Sequence, residues 1–183
     1  DNAINLLDAD HIAADHQVRR RIERSRARTL GLIGQREEAW NELSRLRELC
    51  RSIEGEESGE FAMLTWQLAS LASRAKDPAR GLPLLEESER LWSALVPPSH
   101  PVFAHAQRAR AEFAVLRHAY GEADLALAKA VSALEQGAAS PVDLAIARAE
   151  LAGLRVREHR PLEARQLLGQ SMPVLRKALL PAE

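Results

Sequence analysis

Small residues recur in pairs set twelve positions apart: Ala27 with Ala39, Ala69 with Gly81, Ala114 with Ala126, and Ala152 with Ala164. A small side chain at the same place on each of two successive helices lets the two cross closely, so this spacing restricts the chain to antiparallel helix pairs. Between second members the periods are 42, 45 and 38 residues, as in a helical repeat array. Ala and Gly make up 41 of 183 residues, so a single pair carries little weight; four pairs in register with other columns carry more.

Those columns exist. The residue before the first small one is Leu68, Phe113 or Leu151, and four past the second comes Leu43, Leu85 or Leu168; Arg26 and Ala130 interrupt the two columns. Five residues before the second small position stand Gly34 and Gly121, where the chain must turn and glycine adopts the turn conformation cheaply. Asp77-Pro78 and Arg160-Pro161 supply different turn chemistry in the second and fourth repeats, with Pro at a first helical position.

With these features the chain resembles the tetratricopeptide repeat family, in which helix A and helix B of each repeat carry small residues twelve apart around a turn. The segment from Ser99-His100-Pro101 to Tyr120-Gly121-Glu122-Ala123-Asp124-Leu125-Ala126 is most similar to the longer variant, of about 42 residues, seen in kinesin light chains and many bacterial signalling proteins. The resemblance spans about residues 18 to 180. It implies an all-α, right-handed superhelical solenoid of about four antiparallel helix pairs, with repeats at about 11–57, 58–98, 99–139 and 140–181 in one domain spanning 1–183. The family's aromatic in the middle of helix A is replaced by Leu30, Ala72, Arg117 and Arg155.

Composition points the same way. Hydrophobic residues are 46% and aromatics only 4%, with Ala, Leu, Arg and Glu dominant, which are helix formers. A helices are expected at 11–32, 59–75, 101–119 and 141–158, and B helices at 36–53, 78–95, 122–136 and 161–180. Ser58, Ser99 or His100, and Ser140 are candidate N-caps, while Pro83 and Pro173 should each remove a hydrogen bond and kink a B helix. The chain opens Asp1-Asn2-Ala3 without an initiating Met, so it is expected to be a piece of a longer protein. No apolar run reaches the ~18 residues of a membrane span. Cys50 stands alone and favours a reducing compartment, the cytoplasm.

A net charge of −1 gives no reason to expect nucleic acid. Locally, Arg19, Arg20, Arg21, Arg24, Arg26 and Arg28 crowd one helix, which reads either as a solvated face or as a ligand-facing one. In the family, helix A lines the concave face. Carried over column by column, the resemblance implies a peptide-binding groove of Arg21, Arg24, Arg28 and Leu32; Met63, Trp66, Ser70, Ser73 and Arg74; Arg108, Val115 and His118; and Ile146, Val156 and Arg157. No acidic residue falls among them, so the groove should take an acidic or C-terminal segment, with Trp66 as its apolar anchor. The carboxylate-clamp subset also needs groove Asn. None stands there, and that function is not carried over.

Nothing indicates an enzyme. Asp8, His11 and Asp15 share a helical face, but without a supporting pattern they read as terminal polar residues rather than metal ligands. His118 and His159 lack a carboxylate or nucleophile at a motif spacing, and Cys50 among Leu46, Leu49 and Ile53 reads as packing. No phosphate loop, CxxC, GxSxG or HExxH occurs, so no cofactor is expected. The expected function is a non-catalytic protein- or peptide-interaction module of a larger bacterial signalling protein, linked to a kinase or a transcription regulator. Two alternatives stay open: a ligand- or peptide-sensing regulator, and a homodimerising scaffold using Leu167, Leu168, Val174, Leu175, Leu179 and Leu180.

Overall fold

The structure, a computed structural model, describes Ala13 and residues 16–137 and 139–179. Among these residues are eight α-helices and no strand: α1 (Gln17–Leu32), α2 (Arg36–Glu54), α3 (Gly59–Arg74), α4 (Pro78–Leu95), α5 (Pro101–Leu116), α6 (Tyr120–Gln136), α7 (Pro141–Arg157) and α8 (Pro161–Leu179). They form four antiparallel pairs, and the chain divides into two compact units: residues 1–95, with α1 to α4, and residues 96–183, with α5 to α8. Each expected helix is present, but the first begins at Gln17, after the His16 cap, rather than at residue 11. Asp8, His11, Asp15 and Leu180 lie outside the described residues, and the described ones hold no cluster of three metal-ligating side chains.

Each odd-numbered helix starts on the same device. His16 Nδ1, Ser58 Oγ, His100 Nδ1 and Ser140 Oγ accept from the N–H of Val18, Phe61, Val102 and Val142, each at 3.2 Å, and so satisfy a donor that the first helical turn leaves open. Proline follows the cap in α5 and α7. Asp77 caps α4 likewise, its Oδ1 accepting from Arg80 N–H at 3.1 Å. α4 and α8 run on through Pro83 and Pro173.

One turn serves all four pairs. The N–H groups of Gln35, Asp77, Ala119 and Arg160 donate to the carbonyls of Leu30, Ala72, Ala114 and Arg155 at 2.9, 2.9, 2.9 and 2.8 Å, closing each helix end in the Schellman manner. The residue just before each donor is left-handed: Gly34 at φ 92°, Lys76 at 59°, His118 at 59° and His159 at 58°. The expected turn role holds for Gly34 but not for Gly121, which lies inside the first turn of α6 while His118 makes the bend.

This turn column corrects the repeat register. The left-handed residue precedes the second small residue by five in repeats one, two and four; in repeat three the same count from His118 reaches Ala123, whose partner twelve before is Ala111. The periods become 42, 42 and 41 residues. Ala111 and Ala123 are 3% and 0% exposed, Ala114 and Ala126 are 1% and 3%, so burial alone does not choose between them; the turn does. All the other paired small residues are buried as expected.

In the first unit Leu30, Leu43, Leu46, Phe61, Leu64, Leu68 and Leu91 form the core, with Trp40, Leu84 and Trp92 against it. The second unit packs Ala-rich faces, Ala111, Ala114, Ala123, Ala126 and Ala130, around Leu127, Leu134, Leu151 and Leu154. Cys50 is fully buried, 3.5 Å from Ser58 Oγ, and burial pushes its thiol pKa up, in keeping with a packing role.

Candidate functional site

On α3 the sequence places Trp66, Ser70 and Arg74 four residues apart, which sets them on one stripe. On α1 Arg28 and Gly31 lie three apart and face them. Together with Leu43, Gln67 and Leu71 they line an open cavity of about 150 Å³ in the first unit. Gly31 keeps that space: a Cβ there would stand 3.1 Å from Leu71 Cδ1. Apolar walls meet a cationic rim, because Arg28 and Arg74 are exposed and meet no carboxylate among the described residues. In the wall the buried Gln67 Oε1 accepts no hydrogen bond from them. Cavities of about 150 Å³ admit a benzene-sized group, whereas ligand pockets run from about 300 Å³ upward, so the space suits one anchoring side chain rather than a cofactor.

Four of the implied groove residues, Arg28, Trp66, Ser70 and Arg74, thus line one cavity. Others do not join them. Arg21 and Arg24 line a separate cavity of about 210 Å³ with Gln17, Arg20, Glu54 and Glu60. Met63 is half-buried on α3, and Leu32 is exposed at the end of α1. Arg108 belongs to the second unit. His118 is corrected outright: with Ala111 as the reference residue, the groove columns of repeat three hold His105, Arg108, Glu112, Val115 and Leu116, and His118 is the turn residue, its Nδ1 3.1 Å from Tyr120 Oη.

Unlike Arg21, Arg28 and Arg74, which meet no carboxylate among the described residues, Arg24 and Arg108 are reached by carboxylates from outside the groove columns. Arg24 Nη1 donates to both Glu60 oxygens at 2.7 and 2.6 Å, and Arg108 is forked onto Glu150 at 2.7 and 2.5 Å, a hydrogen bond that drives the Arg108 pKa upward. Arg26 reaches Glu38 and Glu42, both at 3.0 Å, and Arg45 reaches Glu23 at 2.5 Å. Glu112 itself enters a groove column once the register is corrected. Much of the arginine cluster is therefore spent on joining helices. The carboxylates lie on other helices, 36 residues from Arg24 and 42 from Arg108, so nothing in the local sequence showed them; a search one repeat period downstream would have found Glu150.

Beside Arg108, burial lowers the His105 pKa, with Asp143 opposing the shift. Asp124, Arg155, Arg160 and Glu163 make an ion-pair network at the α7–α8 turn, with the largely buried Arg155 3.0 Å from Asp124.

No protein-family model matches the chain, and no curated protein matches it. Solved structures do. Two forms of a Podosopora anserina protein described by its "kinesin light chain nearly identical TPR-like repeats" align over 97% and 98% of this chain and 84% and 85% of their own, with TM-scores of 0.67 and 0.64, each at 19% identity. BtubC (BKLC) from P. vanneervenii aligns over 90% of this chain and 67% of its own, with a TM-score of 0.66 at 14% identity. The fold is TPR-like. At these identities the likeness speaks for the fold alone. It agrees with the eight-helix arrangement and the uniform turn column. No helix among the described residues is long and apolar enough to cross a membrane.

Proposed function

We propose that the chain is a non-catalytic interaction module, part of a larger signalling protein, whose first unit binds an extended acidic segment of a partner protein. A side chain of that segment enters the cavity between Arg28, Trp66 and Arg74. The observation that carries this reading is the pairing of an apolar pocket the size of one side chain with two guanidinium groups that meet no carboxylate among the described residues. Trp66 supplies the desolvated contact area typical of an anchor point, and Arg28 and Arg74 attract carboxylates flanking it. Arg21, Arg24, Met63 and Arg108 have lesser roles, since Arg24 and Arg108 are already forked onto Glu60 and Glu150. Selection of a random peptide library against the chain tests this: wild type should enrich an apolar residue beside acidic ones, and Trp66→Ala should lose that consensus. Enrichment of basic peptides, or of the same consensus by both proteins, contradicts it.

A second reading, homodimerisation, draws on α8, where Leu168 and Met172 are 37% and 39% exposed on one stripe with the half-buried Leu175. Light scattering across a concentration series decides: a constant monomer mass removes this reading.

A further inference from the structure

The second cavity of the first unit is unlike the first, for its walls are almost wholly polar: Gln17, Arg20, Arg21, Arg24, Glu54 and Glu60 enclose about 210 Å³. Arg20 is the unusual member. It is only 7% exposed, its Nη2 donates to Glu54, and its Nε and Nη1 are buried without meeting an acceptor among the described residues. A guanidinium cannot shed its proton, so these donors remain charged and unanswered. Arg24 is forked onto Glu60, and Arg21, exposed at the rim, meets no carboxylate among the described residues. Among the described residues, three guanidinium groups against two carboxylates leave one positive charge in excess. That balance decides what fits. A metal cation is repelled, a dianionic phosphate would overshoot beside Glu54 and Glu60, and one carboxylate closes the account of charge.

We infer that this cavity is a carboxylate-binding site, in which one carboxylate group accepts from Arg20 and Arg21. Rotation about the last bonds of the Arg20 side chain brings its unanswered donors to an acceptor in the cavity, while Glu54, one-third exposed, can follow. The site shares no residue with the Arg28–Trp66–Arg74 cavity, and it stands whether or not that cavity binds a peptide. The carboxylate belongs either to a free acid or to a Glu or Asp side chain of a protein segment.

Arginine Nε–Hε signals in ¹H–¹⁵N spectra of the chain read the site directly. Sodium acetate, inorganic phosphate and a blocked peptide with a single glutamate are titrated at one fixed ionic strength. Acetate should shift the Arg20 and Arg21 signals to saturation and leave the Trp66 indole signal in place. Arg21→Gln, an exposed position where folding is not at stake, should weaken binding at least roughly tenfold, and Trp66→Ala should not change it. A peptide bound more tightly than acetate assigns the carboxylate to a protein segment; equal affinity assigns it to a free acid. The inference is overturned if the Arg20 signal does not saturate, if Arg21→Gln binds acetate like wild type, or if phosphate binds roughly tenfold more tightly than acetate.

Discussion

Replacing Ala123 by Leu should destabilise the second unit, because Ala123 is the small residue of the corrected α5–α6 pair and is fully buried. Leu adds three carbons. If space existed, burying them would stabilise by about 2.4 kcal/mol, at about 0.8 kcal/mol for each methylene. At 0% exposure, among the buried Ala111, Ala114 and Ala126, the added atoms must instead push the helices apart, and overpacking costs about 1–3 kcal/mol. For a domain of 60–100 residues each kcal/mol moves the melting temperature by about 4–8 °C. Gly153→Ala is the control in the same unit: it lies inside α7, a Cβ there would meet nothing within 4 Å, and removal of a helix-interior glycine gains about 0.5–1 kcal/mol. Thermal unfolding followed by circular dichroism should therefore show opposite shifts. An Ala123→Leu chain that melts at or above wild type would refute close crossing at this position.

At the α3–α4 turn, Lys76→Gly relieves a left-handed non-glycine residue, a strain of about 1 kcal/mol, less what the unfolded chain gains in freedom; denaturant titration should find stability unchanged or raised by up to that amount, and a loss contradicts the turn geometry. Arg47 bonds Thr65 Oγ1 at 2.9 Å and both oxygens of Glu87 at 2.7 Å while lying 4.4 Å over Phe61, so Arg47→Ala should cost the first unit about 1–3 kcal/mol by the same assay, and a neutral result rejects its role as a three-helix tie. Burial raises the Glu42 pKa above 4.5, against the opposing pull of Arg26. The folded chain then holds that proton more tightly than the unfolded one, so this contribution is full below pH 4.5 and is lost as pH rises through the raised folded value. The stability of Glu42→Gln relative to wild type should therefore increase with pH across that window; a flat difference contradicts it.

The helix pairs were legible in the sequence because their signals are local: a small residue every twelve, Pro after a cap, and turns about 42 residues apart. His16 was missed as a cap because imidazole is an uncommon acceptor there, yet its match to Ser58, His100 and Ser140 one repeat apart was visible in principle. The third repeat slipped by three residues because α5 and α6 are so rich in alanine that Ala114–Ala126 and Ala111–Ala123 satisfy the same twelve-residue rule; only the left-handed His118 breaks the tie. Which candidate residues share a cavity was legible where one helix face decides, as with Trp66, Ser70 and Arg74. Charge settled between helices was not legible. Glu60 and Glu150 reach Arg24 and Arg108 from other helices, and no local pattern announces such pairs.

The most direct test of the interaction reading is calorimetric titration of an acidic peptide carrying one apolar anchor, at about 0.05 M and about 0.5 M salt, where the screening length falls from over ~10 Å to a few Å. The account predicts that affinity falls with salt, and that Arg28→Glu and Trp66→Ala each weaken binding by roughly tenfold or more while the helical content of the chain is unchanged. Binding that is independent of salt and survives both substitutions would contradict it.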